Sequence, residues 1–191
     1  MAPPDTPMAH GLESDDLGPL ITDRRTLDHL FSVTYEELRR LAGSVRRDDP
    51  GASISPTGLV NEAWLKLASS PPFELTSRLH FKRIAARAMR QVLIEAARKR
   101  NAGKRGGGVA PVTFDDAMET TAKGADDLLA LDTALNELAR LNPRQAAMVE
   151  SRFFGGLGMA ETAELLGVSE ATILRDWRAA KAWLAHTLRT R

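Results

Sequence analysis

The most constraining feature of the chain is residues 159–178, where small, turn-forming, capping and apolar residues follow the order expected of two helices joined by a tight turn. Ala163 is a small residue where the two helices would cross, and Gly167 tolerates the chain reversal that must follow. Ser169 can cap the second helix. The segment predicts a helix-turn-helix, whose second helix typically reads DNA; an ordinary helical hairpin is the alternative.

The second helix of this motif is two-faced. Ile173 and Trp177 fall on the inward side, so we expect Trp177, and Trp183 beyond it, to belong to the core rather than to stack on bases. The outer side carries the candidate contacts to base edges and phosphates of DNA, which are Ser169, Glu170, Thr172, Arg175 and Arg178.

Composition excludes several classes of protein. With 43% hydrophobic and 27% charged residues, the chain is predicted to be folded and globular. It has no cysteine, which excludes disulfides and thiolate metal sites, and its four histidines are scattered, so we predict no metal and no cofactor. There is no signal-peptide pattern and no apolar run long enough for a membrane span, so a cytoplasmic location is expected.

The net charge of +1 hides a strong segregation of charge. The charged residues of 78–108 are all basic apart from Glu95, and those of 109–127 are all acidic apart from Lys123. A long helix is predicted from about residue 77 to 100, and Arg83, Arg87 and Arg90 recur on it at i, i+4 and i+7, which aligns them on one side. A basic helix is often only a solvated face, but its continuation into a basic glycine-rich loop favours contact with a phosphate backbone.

Further helices are predicted where capping residues precede apolar periods, notably at Ser55-Pro56 and Asn142-Pro143. No strand is predicted. The expected fold class is all-α, with two small helical domains joined by a flexible linker. The predicted boundaries are a disordered tail over 1–21, a first domain over 22–105, an acidic linker over 106–127 and a helix-turn-helix domain over 128–191.

Three segments together carry a resemblance to a known family. They are Leu-Val-Asn-Glu-Ala-Trp-Leu-Lys-Leu at 59–67, the basic helix at 81–100, and Leu-Asn-Pro-Arg-Gln at 141–145 followed by residues 155–181. Over roughly residues 22–188 the chain resembles the extracytoplasmic function (ECF) group of bacterial sigma factors, in the sigma-70 family. The resemblance implies a protein that recruits RNA polymerase to promoters and is not an enzyme.

The resemblance also implies sites and partners. The helix at 59–67 is similar to the one that docks on the clamp helices of the largest polymerase subunit, and the C-terminal domain would meet the flap and the minus-thirty-five element. The residues implied in core-polymerase binding are Leu59, Val60, Asn61, Glu62 and Lys66. Those implied in binding the proximal, minus-ten element are Lys82, Arg83, Arg87, Arg90, Gln91, Arg98 and Lys99. Those implied in binding the distal, minus-thirty-five element are the five outer residues of the second helix named above, together with Arg144 and Lys181. The linker would run through the polymerase toward the path of the RNA. Its acidic residues would mimic nucleic acid there, or the linker would serve only as a tether.

One departure from the family pattern concerns regulation. Relatives carry acidic residues just before the Leu-Val pair, where this chain has Ser55-Pro56-Thr57-Gly58. A phosphate on Thr57, or on Ser55, would restore negative charge at a helix N-terminus, where the helix dipole favours it. We therefore predict control by a Ser/Thr kinase, with helix capping alone as the competing interpretation of these residues. An anti-sigma protein is a second possible regulator.

Two other functions fit the sequence less well. A dimeric helix-turn-helix regulator would account for residues 141–183 but would leave 22–105 unexplained. An enzyme would need a glycine-rich phosphate loop, an activated nucleophile or paired ligands, and the sequence has no such pattern.

Overall fold

The computed structural model describes residues 16–21, 24–45, 54–71, 73–102 and 124–190. Within these residues it contains seven helices and one two-stranded antiparallel sheet, which confirms the all-α class. The elements in chain order are β1 Asp16–Ile21, α1 Arg24–Val45, α2 Pro56–Ala68, β2 Glu74–Ser77, α3 Arg78–Ala102, α4 Ala125–Leu141, α5 Pro143–Phe153, α6 Met159–Leu166 and α7 Glu170–Arg189.

Local capping chemistry sets where three helices begin, as the sequence predicted. The hydroxyl of Ser55 accepts from the Gly58 N–H at 3.0 Å and starts α2, and the Asn142 side chain accepts from the Gln145 N–H at 3.1 Å and starts α5. The hydroxyl of Ser169 likewise caps α7. These bonds satisfy amide groups that have no partner inside the helix.

The turn of the helix-turn-helix is also confirmed. Gly167 ends α6 in the left-handed conformation, with φ of +63°, and its N–H and that of Val168 bond back to carbonyls of α6. Ala163 is buried where α6 meets α7. The reversal therefore depends on a residue without a side chain, because this φ is unfavourable for other residues.

The small sheet was not predicted, and the expectation of no strand is wrong for residues 16–21 and 74–77. β1 pairs with β2 through Leu20 opposite Leu75 and Ile21 opposite Glu74, with an irregularity toward Asp16. Leu75 is fully buried, which anchors β2 in the core. β1 lies inside the segment predicted to be a disordered tail; the remainder of that segment, residues 1–15, lies outside the described residues.

The core is continuous from the N-terminal to the C-terminal half, with α3 at its centre. Phe81 and Met89 of α3 belong to the same buried cluster as Leu59 of α2 and Leu135 of α4. The predicted linker, 106–127, extends too far toward the C-terminus, because α4 already begins at Ala125. Residues 106–123 of that linker lie outside the described residues, so its predicted roles and the domain division remain predictions.

None of the described helices is apolar over a stretch long enough to cross a lipid bilayer.

Candidate functional site

In α2, the helix predicted to bind polymerase, two of the residues predicted to make that contact are buried. Leu59 and Val60 are 0% and 1% exposed, so their side chains pack into the core. A contact with a partner requires accessible atoms, and we correct the prediction for these two residues: they hold α2 in place. Asn61 and Glu62 lie on the exposed side of the helix, where a partner can reach them.

The exposed side of α2 also carries a residue that the sequence analysis did not single out. Leu65 is 58% exposed, four residues after Asn61 and three after Glu62, so the three share a face. Next to it, Lys66 forms an ion pair with Glu95 of α3 at 2.8 Å. The signal in the sequence was a leucine that falls off the apolar stripe of its own helix.

Four of the residues predicted to bind proximal DNA are exposed on α3: Arg87, Gln91, Arg98 and Lys99. Arg83 is half-buried. The cationic groups of Arg87, Arg98 and Lys99 are therefore distributed over about three turns of the helix surface. This spacing is suitable for contacts with successive phosphates of a nucleic-acid backbone.

Lys82 is a different case, because only 3% of its side chain is exposed. Its Nζ lies 2.7 Å from Oε1 of Glu37 on α1 and 2.8 Å from Oε1 of Glu161 on α6. Burial of Glu161 alone would raise the pKa of its carboxyl group, but hydrogen bonds from Lys82 and the Gly158 N–H lower that pKa overall. The predicted DNA contact by Lys82 does not fit this arrangement, in which no phosphate reaches its ammonium group.

Arg90 is similarly engaged. Its guanidinium group, 13% exposed, binds Oδ1 of Asp132 at 2.7 Å and Oε1 of Glu150 at 2.9 Å, and it also donates to Asn136 at 3.0 Å. Arg98 lies 3.7 Å from the other carboxylate oxygen of Asp132. The prediction that Arg90 contacts DNA is therefore also at odds with the arrangement observed.

The C-terminal half presents the outer face of α7. Glu170, Arg175 and Arg178 are exposed there, beyond the cap at Ser169. Thr172 and Lys181 are half-buried.

The inward face of α7 is apolar, as predicted. Ile173 and Trp177 are buried, and the Arg152 guanidinium lies over the Trp177 ring at 4.5 Å from its centroid. Trp183 packs against the same core. The prediction that the two tryptophans are core residues is confirmed.

Arg144, predicted to bind distal DNA, has a partner within the chain. Its Nε donates to Oδ2 of Asp176 at 2.8 Å, and Asp176 is buried on α7. The ion pair ties α5 to the reading helix, so a DNA contact by Arg144 would compete with this pair.

Comparison with known families decides the identity of the chain. A family model described as ECF sigma factor matches residues 22–190. The chain belongs to the ECF sigma factor family. Searches of curated proteins and of solved structures gave no significant match.

Membership of the ECF sigma factor family confirms the resemblance drawn from the sequence. An ECF sigma factor directs RNA polymerase to promoters and is not an enzyme, so core RNA polymerase and promoter DNA are its partners. The dimeric regulator and the enzyme are thereby rejected.

Proposed function

We propose that this sigma factor recognises a two-part promoter, with the exposed face of α7 on the distal, minus-thirty-five element and the cations of α3 on the proximal, minus-ten element. The observation that carries the proposal is the pair Arg175 and Arg178, exposed on a helix whose opposite face is buried. A helix fixed in this way can enter the major groove with its side chains already oriented. Leu174, 41% exposed beside them, suits an apolar contact with a thymine methyl group.

For core polymerase, the proposed docking surface is the exposed side of α2, formed by Asn61, Glu62 and Leu65. In this surface Leu65 would be the apolar centre, with Asn61 and Glu62 as part of its polar rim. The C-terminal half would meet the polymerase flap. Both events would take place in the cytoplasm, where core polymerase acts.

We expect Leu65→Glu to weaken binding to core polymerase about tenfold or more, because it places a charge at the centre of the docking surface. The measurement is the affinity of the purified full chain for core polymerase by fluorescence anisotropy, with co-elution on size exclusion as a second readout. Val33→Glu is the matched control, since Val33 is a half-exposed apolar residue of α1 outside that surface. Equal affinities for the wild type and Leu65→Glu would contradict the proposed surface.

A Ser/Thr kinase acting on Thr57 is the regulator we propose. Thr57 is exposed in the first turn of α2, a turn that contains no acidic residue. A phosphate there meets the positive end of the helix dipole and adds the charge that relatives carry in this segment. Ser55 is the second candidate, although its hydroxyl already caps the helix. An anti-sigma protein remains the alternative means of control.

Thr57→Glu is expected to bind core polymerase about twofold to fivefold more tightly than the wild type, because one added negative charge reproduces part of the effect of a phosphate. Thr57→Gln, of nearly the same size and without the charge, is the control and should bind like the wild type. If all three forms bind equally, Thr57 serves only in helix initiation.

A further inference from the structure

Two arginines from opposite ends of α5 converge on neighbouring residues of α7. Arg144, in the first turn of α5, donates through its Nε to Oδ2 of Asp176 at 2.8 Å. Arg152, in the last turn, places its guanidinium group over the ring of Trp177, 4.5 Å from the centroid. Asp176 and Trp177 follow one another in the chain, so both contacts act on one point of the helix proposed to read the distal element.

Asp176 lies on the buried side of α7, where the helical period would place an apolar side chain. Only 8% of its side chain is exposed, and its neighbours Ile173 and Trp177 belong to the core. A carboxylate that has lost its water needs a cationic or hydrogen-bonding partner. Among the described residues, Arg144 supplies that partner. The carboxylate is therefore held from one direction, by a group on α5.

Arg144 stands at a position that a helix does not favour for a cation. The first turn of α5 lies at the positive end of the helix dipole and contains no acidic residue. Asp176 supplies the compensating charge from another helix. The Arg144 side chain remains 46% exposed, so it adds little to the packing of the core. Its observed contact is therefore one of charge and direction.

Arg152 holds the same part of α7 by a different contact. It is 5% exposed, and its guanidinium group contacts the Trp177 ring and Sδ of Met159. Its Nε has no hydrogen-bond partner among the described residues, and burial lowers the pKa of the group. A cation–π contact is stronger when the cation has lost its water. The contact therefore fixes the face of Trp177 that α7 turns toward α5.

The ion pair between Arg144 and Asp176 is better suited to orienting α7 than to stabilising the fold. Removal of water from a carboxylate offsets most of its attraction to a partner, and an apolar side chain of similar size is often equally stabilising at such a position. Apolar contacts have no direction, whereas a hydrogen bond requires its donor and acceptor to meet at a set distance and angle. The pair therefore restricts the rotation of α7 about its own axis.

That rotation controls the outer face of α7. Arg175 precedes Asp176 directly and Arg178 follows two residues later, so all three turn together as parts of one helix. An arginine that reads a base does so through two parallel hydrogen bonds, whose directions are fixed. A change in the rotation of α7 would therefore weaken such contacts without altering either arginine.

We propose that Asp176 is a positioning residue for promoter recognition: held by Arg144, it fixes the rotation of α7 at which Arg175 and Arg178 face the distal element. Arg144, predicted from the sequence to contact DNA, then acts on DNA through α7 and makes no contact of its own. The inference rests on the proposed function of α7.

The two roles of Arg144 predict opposite effects when Asp176 is replaced. If Arg144 bound DNA, the loss of Asp176 would free it and remove a nearby negative charge, so the affinity for DNA would rise. If the pair orients α7, the affinity falls. Asp176→Leu removes the charge and the hydrogen bond but keeps an apolar group of similar volume, so the fold should be at least as stable. Asp176→Asn removes the charge alone and gives the sign of the effect if the leucine variant fails to fold.

The measurement is the affinity of the full chain, assembled with core polymerase, for a fluorescein-labelled promoter selected with the wild type from a random DNA library. We expect Asp176→Leu to lower this affinity about tenfold or more, the equivalent of one base contact, and Asp176→Asn to lower it less. Urea denaturation of the free chain should show no loss of stability for Asp176→Leu. Glu36→Gln removes the same charge from an exposed position on α1 and should bind like the wild type.

A double variant tests whether Arg144 also contacts DNA directly. Arg144→Ala in the Asp176→Leu background should cost no more affinity than Arg140→Ala in that background, since Arg140 is an exposed arginine at the end of α4. Two results would overturn the proposal. One is DNA binding by the Asp176 variants that equals or exceeds that of Glu36→Gln, and the other is a further loss specific to Arg144→Ala.

Failure of the proposed function is distinguished in the same assay by Arg175→Ala combined with Arg178→Ala. If this variant loses affinity while Asp176→Leu does not, the positioning role is wrong and α7 remains the reading helix. If neither variant loses affinity, α7 is not the reading helix and the proposed function fails as well.

Discussion

Replacing Gly156 by alanine is expected to lower the free energy of unfolding by about 2–4 kcal/mol. Gly156 has a φ of +62°, a conformation that is costly for a residue with a Cβ atom. The added methyl group would also overlap the side chain of Leu41, which must then move out of a packed position. Urea denaturation followed by circular dichroism measures the loss.

Gly167→Ala separates the cost of the backbone conformation from the cost of the overlap with a neighbouring side chain. Gly167 has nearly the same φ, +63°, but a Cβ atom there would meet nothing within 4 Å. Its replacement should therefore cost about 1–2 kcal/mol, from the backbone alone. Leu41→Ala should cost less in the Gly156→Ala background than in the wild type, since the smaller side chain relieves the overlap. Equal losses for the two glycine variants would show that Leu41 does not pack against the turn in solution.

The features predicted correctly from the sequence are those fixed by local chemistry. Ser55, Asn142 and Ser169 cap helices through bonds that span three residues, and Gly167 is recognisable because few other residues take its φ. The inward position of Trp177 follows from the helical period alone. Such signals lie within one or two turns of the chain, so they need no knowledge of the tertiary fold.

The features that the sequence does not predict are those that distant residues decide. Nothing near Arg90 in the sequence shows that Asp132 and Glu150 will reach it, and a helical basic stripe looks the same whether it faces solvent or acids. Leu59 and Val60 fit a family motif, yet the motif does not say which of its members face the core. β1 contains Gly18 and Pro19, residues that usually disfavour a strand, and its pairing depends on β2 more than 50 residues later.

Arg175 and Arg178 lie on the outer face of α7 and are exposed. Arg175→Ala combined with Arg178→Ala should reduce promoter-directed transcription by at least about 30-fold, taking the loss as 1–3 kcal/mol for each arginine that contacts a base or phosphate. Both side chains are exposed, whereas Ile173 and Trp177 secure the helix from its other face. The substitutions should therefore leave the fold intact.

The measurement is run-off transcription from a promoter selected from a random DNA library with the wild-type sigma factor and core polymerase. Arg140→Ala with Arg189→Ala removes the same charge from exposed positions near the ends of α4 and α7, and should transcribe close to the wild-type level. Co-elution with core polymerase is followed in the same samples, because lost transcription assigns α7 to DNA reading only when polymerase binding persists. A double variant that transcribes like the control would place the distal contact on another surface.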